Sequence, residues 1–175
     1  SLFGVNKDSY NQFSVASVNE NSKRKKQLAF HACSVILGDS AVIFSGDGGI
    51  GKSTIADSLR ESGYQVPGDE VAFVTLCEDG VWKITAAAQK VGIERYILNE
   101  LENPPVINTV VLLRNHIDSG FQFEKCSSAR SVQESFPRLF CDRMNDPQYL
   151  PDAFCWSSSL FRQASACYLD FEKTI

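Results

Sequence analysis

The stretch Gly46-Asp47-Gly48-Gly49-Ile50-Gly51-Lys52-Ser53 constrains this chain more than any other. Four glycines in six positions free the backbone to wrap, and a lysine and a hydroxyl follow at once. The spacing G-x-x-x-x-G-K-[ST] is that of a phosphate-binding loop, in which successive N–H groups point inward at phosphate oxygens. The helix opening near Lys52 adds its positive end to such a site. The Lys52 ammonium reaches the outer phosphates, and the Ser53 hydroxyl enters the shell of a magnesium ion. A chance match in a glycine-rich turn is the simpler alternative, but the stretch follows an apolar strand and opens an amphipathic helix, the context such a loop needs. The expected binding set is Gly46, Asp47, Gly48, Gly49, Ile50, Gly51, Lys52, Ser53 and Thr54, and its ligand is a polyphosphate.

With 175 residues, 43% of them hydrophobic, the chain suits one compact domain over 1–175. A net charge of -4 argues against nucleic acid as a partner. The apolar runs at 41–44 and 110–113 are strand-sized and none reaches the length of a membrane span, so no membrane partner is expected. No secretory signal is visible, which makes the cytoplasm the expected location. The chain begins at Ser1 without a methionine, as a piece of a longer protein would. Six cysteines are scattered with no C-x-x-C pair, so buried, reduced thiols are expected and zinc is not. The basic run Lys23-Arg24-Lys25-Lys26 reads as a solvated loop in an acidic chain.

Short strands at 2–5 and 13–18 are the only pattern before residue 27, a peripheral region. Residues 32–37 and 41–45 form two β-branched runs around Gly38-Asp39-Ser40, a hairpin that leads into the glycine loop. Ile55, Ala56 and Leu59 then fall at helical spacing, and Gly63 supplies a left-handed stop. Strands are expected at 71–76, 81–85, 106–113 and 166–171, with 121–123 a short partner to the 106–113 strand. Helices are expected at 131–140 and 152–163, capped by Ser131 and Asp152, and Pro137 should kink or end the first. The fold class is mixed α/β with more strand than helix and with hairpins rather than strict β-α-β alternation.

A phosphate cradle alone transfers nothing. A kinase also needs a base for the attacking hydroxyl and a carboxylate to help hold the metal. Asp69-Glu70, between a glycine turn and an apolar strand, is the candidate pair, and adjacent carboxylates there can point different ways. An ordinary acidic turn is the plainer reading. His31 lies in the apolar run Ala29-Phe30-His31-Ala32-Cys33, where a lone histidine is more often a hydrogen-bonded core residue. His116, beside Asn115 and near Asp118, has no evident partner in the sequence.

The segment FHACSVILGDSAVIFSGDGGIGKSTIADSLRESGYQVPGDEVAFV, residues 30–74, resembles the core of the HPr kinase/phosphorylase family, within the phosphoenolpyruvate-carboxykinase-like group of P-loop folds. His31 stands at the family's histidine, Gly46 to Ser53 at its loop and Asp69 at the first of its two aspartates. The resemblance implies a strand-rich P-loop kinase fold with ATP and magnesium as cofactors. It also implies a serine hydroxyl of a protein or peptide as acceptor, and ring-like homo-oligomers. Asp69 would be the base, His31 would lie near the transferred phosphoryl group, and Ser53 and Glu70 would serve the metal. Three positions depart from the family. Glu70 replaces an aspartate, Gly48 replaces a serine, and Gly92-Ile93-Glu94-Arg95 stands nearest to, but reorders, the downstream glutamate-isoleucine-arginine-glycine signature. A non-catalytic nucleotide-binding module and a kinase of a small-molecule hydroxyl are the alternatives. A carboxykinase has too little chain for its further sites, and a nucleoside kinase with an all-parallel sheet conflicts with the hairpin. The enzymatic reading requires Asp69 to face the glycine turn; pointing away, it leaves only a nucleotide holder.

Overall fold

The computed structural model describes residues 26–90, 96–115, 120–139 and 149–172. In chain order the elements are β1 (Gln27–Leu37), β2 (Ser40–Ser45), α1 (Lys52–Glu61), β3 (Gln65–Gly68), β4 (Val71–Leu76), β5 (Trp82–Lys90), β6 (Tyr96–Glu100) and β7 (Val106–Arg114). There follow β8 (Phe121–Cys126), α2 (Ser128–Ser135), a 3-10 turn (Phe136–Arg138), α3 (Tyr149–Gln163) and β9 (Ser165–Phe171). The strand candidates at 2–5 and 13–18, Cys141, Glu94 with its neighbours, and His116 lie outside the described residues.

All the described strands join one nine-stranded mixed sheet in the order β6-β5-β4-β1-β2-β7-β9-β8, with β3 added beside β1. Only the β2–β7 and β7–β9 pairs are parallel, so the sheet is not an all-parallel one. β1 and β2 form an antiparallel hairpin from Ala32↔Ser45 to Leu37↔Ser40, and Gly38 at φ 64 supplies the left-handed residue of the turn. β1 begins at Gln27, so His31 lies within a strand, and its first half pairs with β4 from Gln27↔Thr75 to His31↔Val71. The long strand therefore changes neighbours at the level where β2 ends, and the glycine loop leaves the sheet there.

Burial follows the period of two. In β2 Ala41, Ile43 and Ser45 are buried and alternate with half-buried residues, and in β5 Trp82 and Ile84 point the same way. The main core gathers Leu28, Phe30, Ile43, Val74, Trp82, Ile107 and Leu112 with Val132, Leu160 and Phe161 from the helices. A smaller cluster of Ala29, Val71, Phe73, Ala86 and Ala88 forms separately from it. Gln163, at the end of α3, donates to Trp82 O at 3.0 Å and accepts from Trp82 N at 2.8 Å. Its amide thus satisfies the backbone of β5 as a neighbouring strand would.

Four local expectations are corrected. Phe121–Cys126 pairs with β9 and not with the 106–113 strand, because β9 takes the place beside β7. α2 begins earlier than expected: Ser127 caps it by accepting from Arg130 N, and Ser131 is buried inside it, donating to Ser127 O at 2.8 Å. α3 starts at Tyr149, which puts Asp152 in its first turn beside the positive helix end. Cys155 is exposed; the other described cysteines are buried or half-buried, and all five are free thiols.

Gly68 ends β3 under the carboxylate pair, and a Cβ there would lie 2.7 Å from Ala88 O and 2.8 Å from Ala87 Cβ. Neither the backbone nor a methyl on the sheet can yield. Gly68→Ala should cost about 1–3 kcal/mol of stability by denaturant melt. Gly48→Ala, whose Cβ meets nothing within 4 Å, should cost under about 1 kcal/mol.

Candidate functional site

The loop 46–51 leaves β2 at the C-terminal end of the parallel pair β2–β7. It is shaped by three glycines with different tasks. A Cβ on Gly46 would lie 2.9 Å from both Leu113 Cβ and Ile50 Cγ2, so only glycine lets the loop start flat on β7. Gly49 (φ 73) and Gly51 (φ 113) are left-handed, the second as the N-cap of α1 with no side chain of its own to cap the helix. The first-turn N–H groups of α1 are thereby left available to an anion.

Lys52 is 5% exposed. Its ammonium donates to Gly46 O at 2.8 Å and to Asp47 O at 2.9 Å, so the loop's own carbonyls hold the cation in place. Burial is the first cause that lowers its pKa and Arg138 adds to it, while Glu70, Cys33 and Asp47 act the other way.

A cavity of about 400 Å³ opens over this loop. Of the expected binding set, Gly48, Gly49, Gly51, Lys52, Ser53 and Thr54 line it, and His31 and Glu70 close its other side. Gly46 and Ile50 are not among its lining residues, Gly46 being packed between Ile50 and Leu113, and Asp47 is turned toward Arg138.

The two carboxylates diverge, as successive residues of an extended chain must. Glu70 is pinned by its backbone at the break between β3 and β4. Its N–H donates to Ala88 O at 3.1 Å, and its carbonyl accepts from Ala32 N at 3.1 Å. That directs its side chain to the cavity, with Oε1 3.7 Å from His31 Nε2. Asp69 is not among the residues lining the cavity. Its Oδ2 lies 3.4 Å from Arg60 Nη1 on α1, and its Oδ1 is buried with no hydrogen-bond partner among the described residues. Its charge is felt by the buried Cys33, whose thiol is pushed up to about 12, first by burial and then by Asp69. The structure therefore brings His31, Lys52, Ser53 and Glu70 together and places Asp69 against Arg60.

The His31 pKa is lowered, chiefly by burial and then by the Lys52 ammonium, against the opposing pull of Glu70 and Asp47. The imidazole is held toward its neutral form. Among the described residues no group of three or more His, Cys, Asp or Glu side chains is placed to hold a metal by itself. Ser53 and Glu70 instead offer a hydroxyl and a carboxylate to the same space. Such hard oxygen donors fit magnesium, which keeps most of its shell for water and phosphate oxygens. No described helix is long and apolar enough to cross a membrane.

No family model and no curated protein matches the chain. Among solved structures, the Hpr(Ser) kinase/phosphatase from Coxiella burnetii is similar over 83% of this chain and 79% of that chain, at 12% identity and a TM-score of 0.38. A likeness of that size assigns neither activity nor substrate to this chain.

The position of Arg138 beside the loop is the feature that sequence reasoning missed. Its Nε donates to Asp47 Oδ1 at 3.2 Å across 91 residues of sequence, and no local pattern announces it.

The depressed His31 pKa has a definite consequence for stability. The folded state binds this proton less readily than the unfolded chain. The stability linked to His31 is complete above its ordinary value of 6.5 and is lost as pH falls through the lowered folded value. Proton NMR titration of the imidazole should give a midpoint below 6.5, and inorganic tripolyphosphate should raise it by adding negative charge nearby.

Proposed function

We propose that the chain is a magnesium-dependent kinase. It binds an ATP-type nucleotide through Gly46–Ser53 and passes the terminal phosphoryl group to a serine-type hydroxyl of a protein or peptide. The observation that carries this reading is the convergence of a cation, a hydroxyl, a carboxylate and a neutral histidine on one cavity over a glycine loop. A passive anion site needs the first two; the carboxylate only repels a polyphosphate unless it has a proton to take or a metal to hold.

Asp69 is turned to Arg60, so the condition set from the sequence for an enzyme is not met by that residue. The kinase reading stands only with Glu70, expected from the sequence to serve the metal, as the base in its place. The Glu70 carboxylate accepts the proton of the attacking hydroxyl as the new oxygen–phosphorus bond forms and the bond to the leaving diphosphate breaks. His31, held toward its neutral form, stands 3.7 Å from that carboxylate on the same cavity and adds no fixed charge beside it. Lys52 exchanges its two carbonyl partners for phosphate oxygens and follows the charge onto the leaving group. Ser53 would hold a magnesium ion on the protein side, and the ion would supply charge neutralisation for the phosphates. Asp69 orients α1 through Arg60 and stays out of the proton transfer.

One observation favours the alternative, a nucleotide holder that transfers nothing: the first carboxylate of the pair is engaged by Arg60 and turned from the cavity. Transfer from γ-labelled ATP with magnesium to a library of serine-bearing peptides separates the two, with tripolyphosphate and ATP affinities measured alongside. Glu70→Gln should lower turnover by about 10²–10⁴ while ATP affinity stays within about threefold. Asp69→Asn should lower the melting temperature and leave most of the turnover. A Glu70→Gln protein that works at the wild-type rate would remove the base from this assignment. Binding with no transfer to any acceptor would leave the holder.

A further inference from the structure

From the contacts around the 3-10 turn we infer that Arg138, beside the cavity and not among its lining residues, is a second cation for the phosphate cleft, held by Asp47 until a polyphosphate displaces that carboxylate. The inference rests on the polyphosphate reading of the loop and deepens it, adding the residue that recognises the outer phosphates and the device that keeps it in place.

Arg138 is positioned more firmly than a surface arginine. It ends the turn Phe136–Arg138 after α2. On one side of it the Phe136 ring meets Phe154 edge-on at 6.0 Å. On the other, Leu139 is buried in the main core and makes an isolated antiparallel bridge with Phe30. Phe30 precedes His31, a cavity residue, so the bridge ties the turn to the wall of the cleft. The Arg138 side chain is 14% exposed although its partner, Asp47, is 78% exposed.

Two features of the guanidinium point to a ligand. Its Nη1 is buried and has no hydrogen-bond partner among the described residues, so one donor of a rigid fork is held dry and unused. Orphaned buried donors are uncommon and call for a missing acceptor. Its partner among the described residues, through Nε, is the carboxylate of a loop residue whose main-chain carbonyl also holds Lys52. Asp47 therefore engages both cations at once, one by its side chain and one by its backbone. An incoming anion with several oxygens competes for both contacts in a single event. Arginine, with paired donors in one plane, matches a phosphate edge better than lysine does. An arginine in cis at a phosphate loop also stabilises charge developing on the transferring group.

The test is equilibrium titration of the full chain with magnesium-ATP, tripolyphosphate and AMP, for the wild type and for Lys52→Ala, Arg138→Ala, Arg138→Lys and Asp47→Asn. Circular dichroism melts verify that each variant folds. Arg138→Ala should weaken ATP and tripolyphosphate by about 10- to 100-fold, leave AMP within about threefold, and be only partly rescued by Arg138→Lys. Asp47→Asn, at an exposed side chain, should tighten ATP severalfold because the internal competitor is gone. Wild-type affinity in Arg138→Ala, or an unchanged or weakened ATP affinity in Asp47→Asn, overturns the inference. If Lys52→Ala loses ATP while Arg138→Ala keeps it, this inference fails alone. If the wild type binds neither ATP nor tripolyphosphate, the reading of the loop fails with it.

Discussion

A buried ammonium must be compensated, and in this fold the compensation comes from the main chain. Removing a charge from water costs several kcal/mol even after relaxation, so Lys52 at 5% exposure persists only because Gly46 O and Asp47 O accept from it. Those two carbonyls point inward because Gly46 lies flat on Leu113 and Gly51 turns left-handed into α1. The lysine and the loop thus determine each other. On the proposed reading a polyphosphate offers its oxygens in the two directions that these carbonyls now occupy.

The sheet explains why a histidine and a carboxylate stand beside that loop. β1 is long enough to serve two neighbours, β4 along its first half and β2 along its second. His31 is the last β1 residue paired with β4, and Ala32 is the first paired with β2. The seam between the two pairings coincides with the break between β3 and β4, where the backbone of Glu70 bonds to both Ala32 and Ala88. Two strand ends and a loop start are therefore assembled at one level of the sheet. Rigid backbone hydrogen bonds, rather than flexible side chains, set the positions of the chemical groups.

What the sequence declared and what it concealed divide along the distance between partners. The hairpin, the glycine loop, the helix after it and its stop at Gly63 (φ 85) are set by neighbours within a few residues, and they appear where expected. The partner of β8 is a strand far along the chain, and local pattern is silent on it, whereas β6 pairs with β5 just before it and lacks a clear strand pattern of its own. Helix starts misled for a related reason: Ser127 and Ser131 both suit a cap, and the burial of Ser131 against the core decided between them. The carboxylate pair is the instructive case. That Asp69 and Glu70 diverge follows from the extended chain alone, but which of them enters the cavity depends on register with β1 and β5. Arg138 lay further out of reach, since its place is fixed by the bridge from Leu139 to Phe30.

The charges of the cleft complete the argument. Lys52 and Glu70 line the cleft and the Arg138–Asp47 pair stands beside it, so these four groups are together close to neutral in a chain of net charge -4. Such a site does not draw in anions over distance, because screening and the surrounding negative charge oppose long-range steering. Affinity has to come from short, directed hydrogen bonds made after contact, with internal partners given up in return. That arrangement favours ligands with many oxygens in fixed geometry over simple anions, since a single phosphate cannot replace both the carbonyl pair on Lys52 and the carboxylate on Arg138. His31 is held toward its neutral form, chiefly by burial, so it adds no third permanent cation to these groups. On the proposed reading, a preference for polyphosphate over simple anions rests on this near-zero balance of charge.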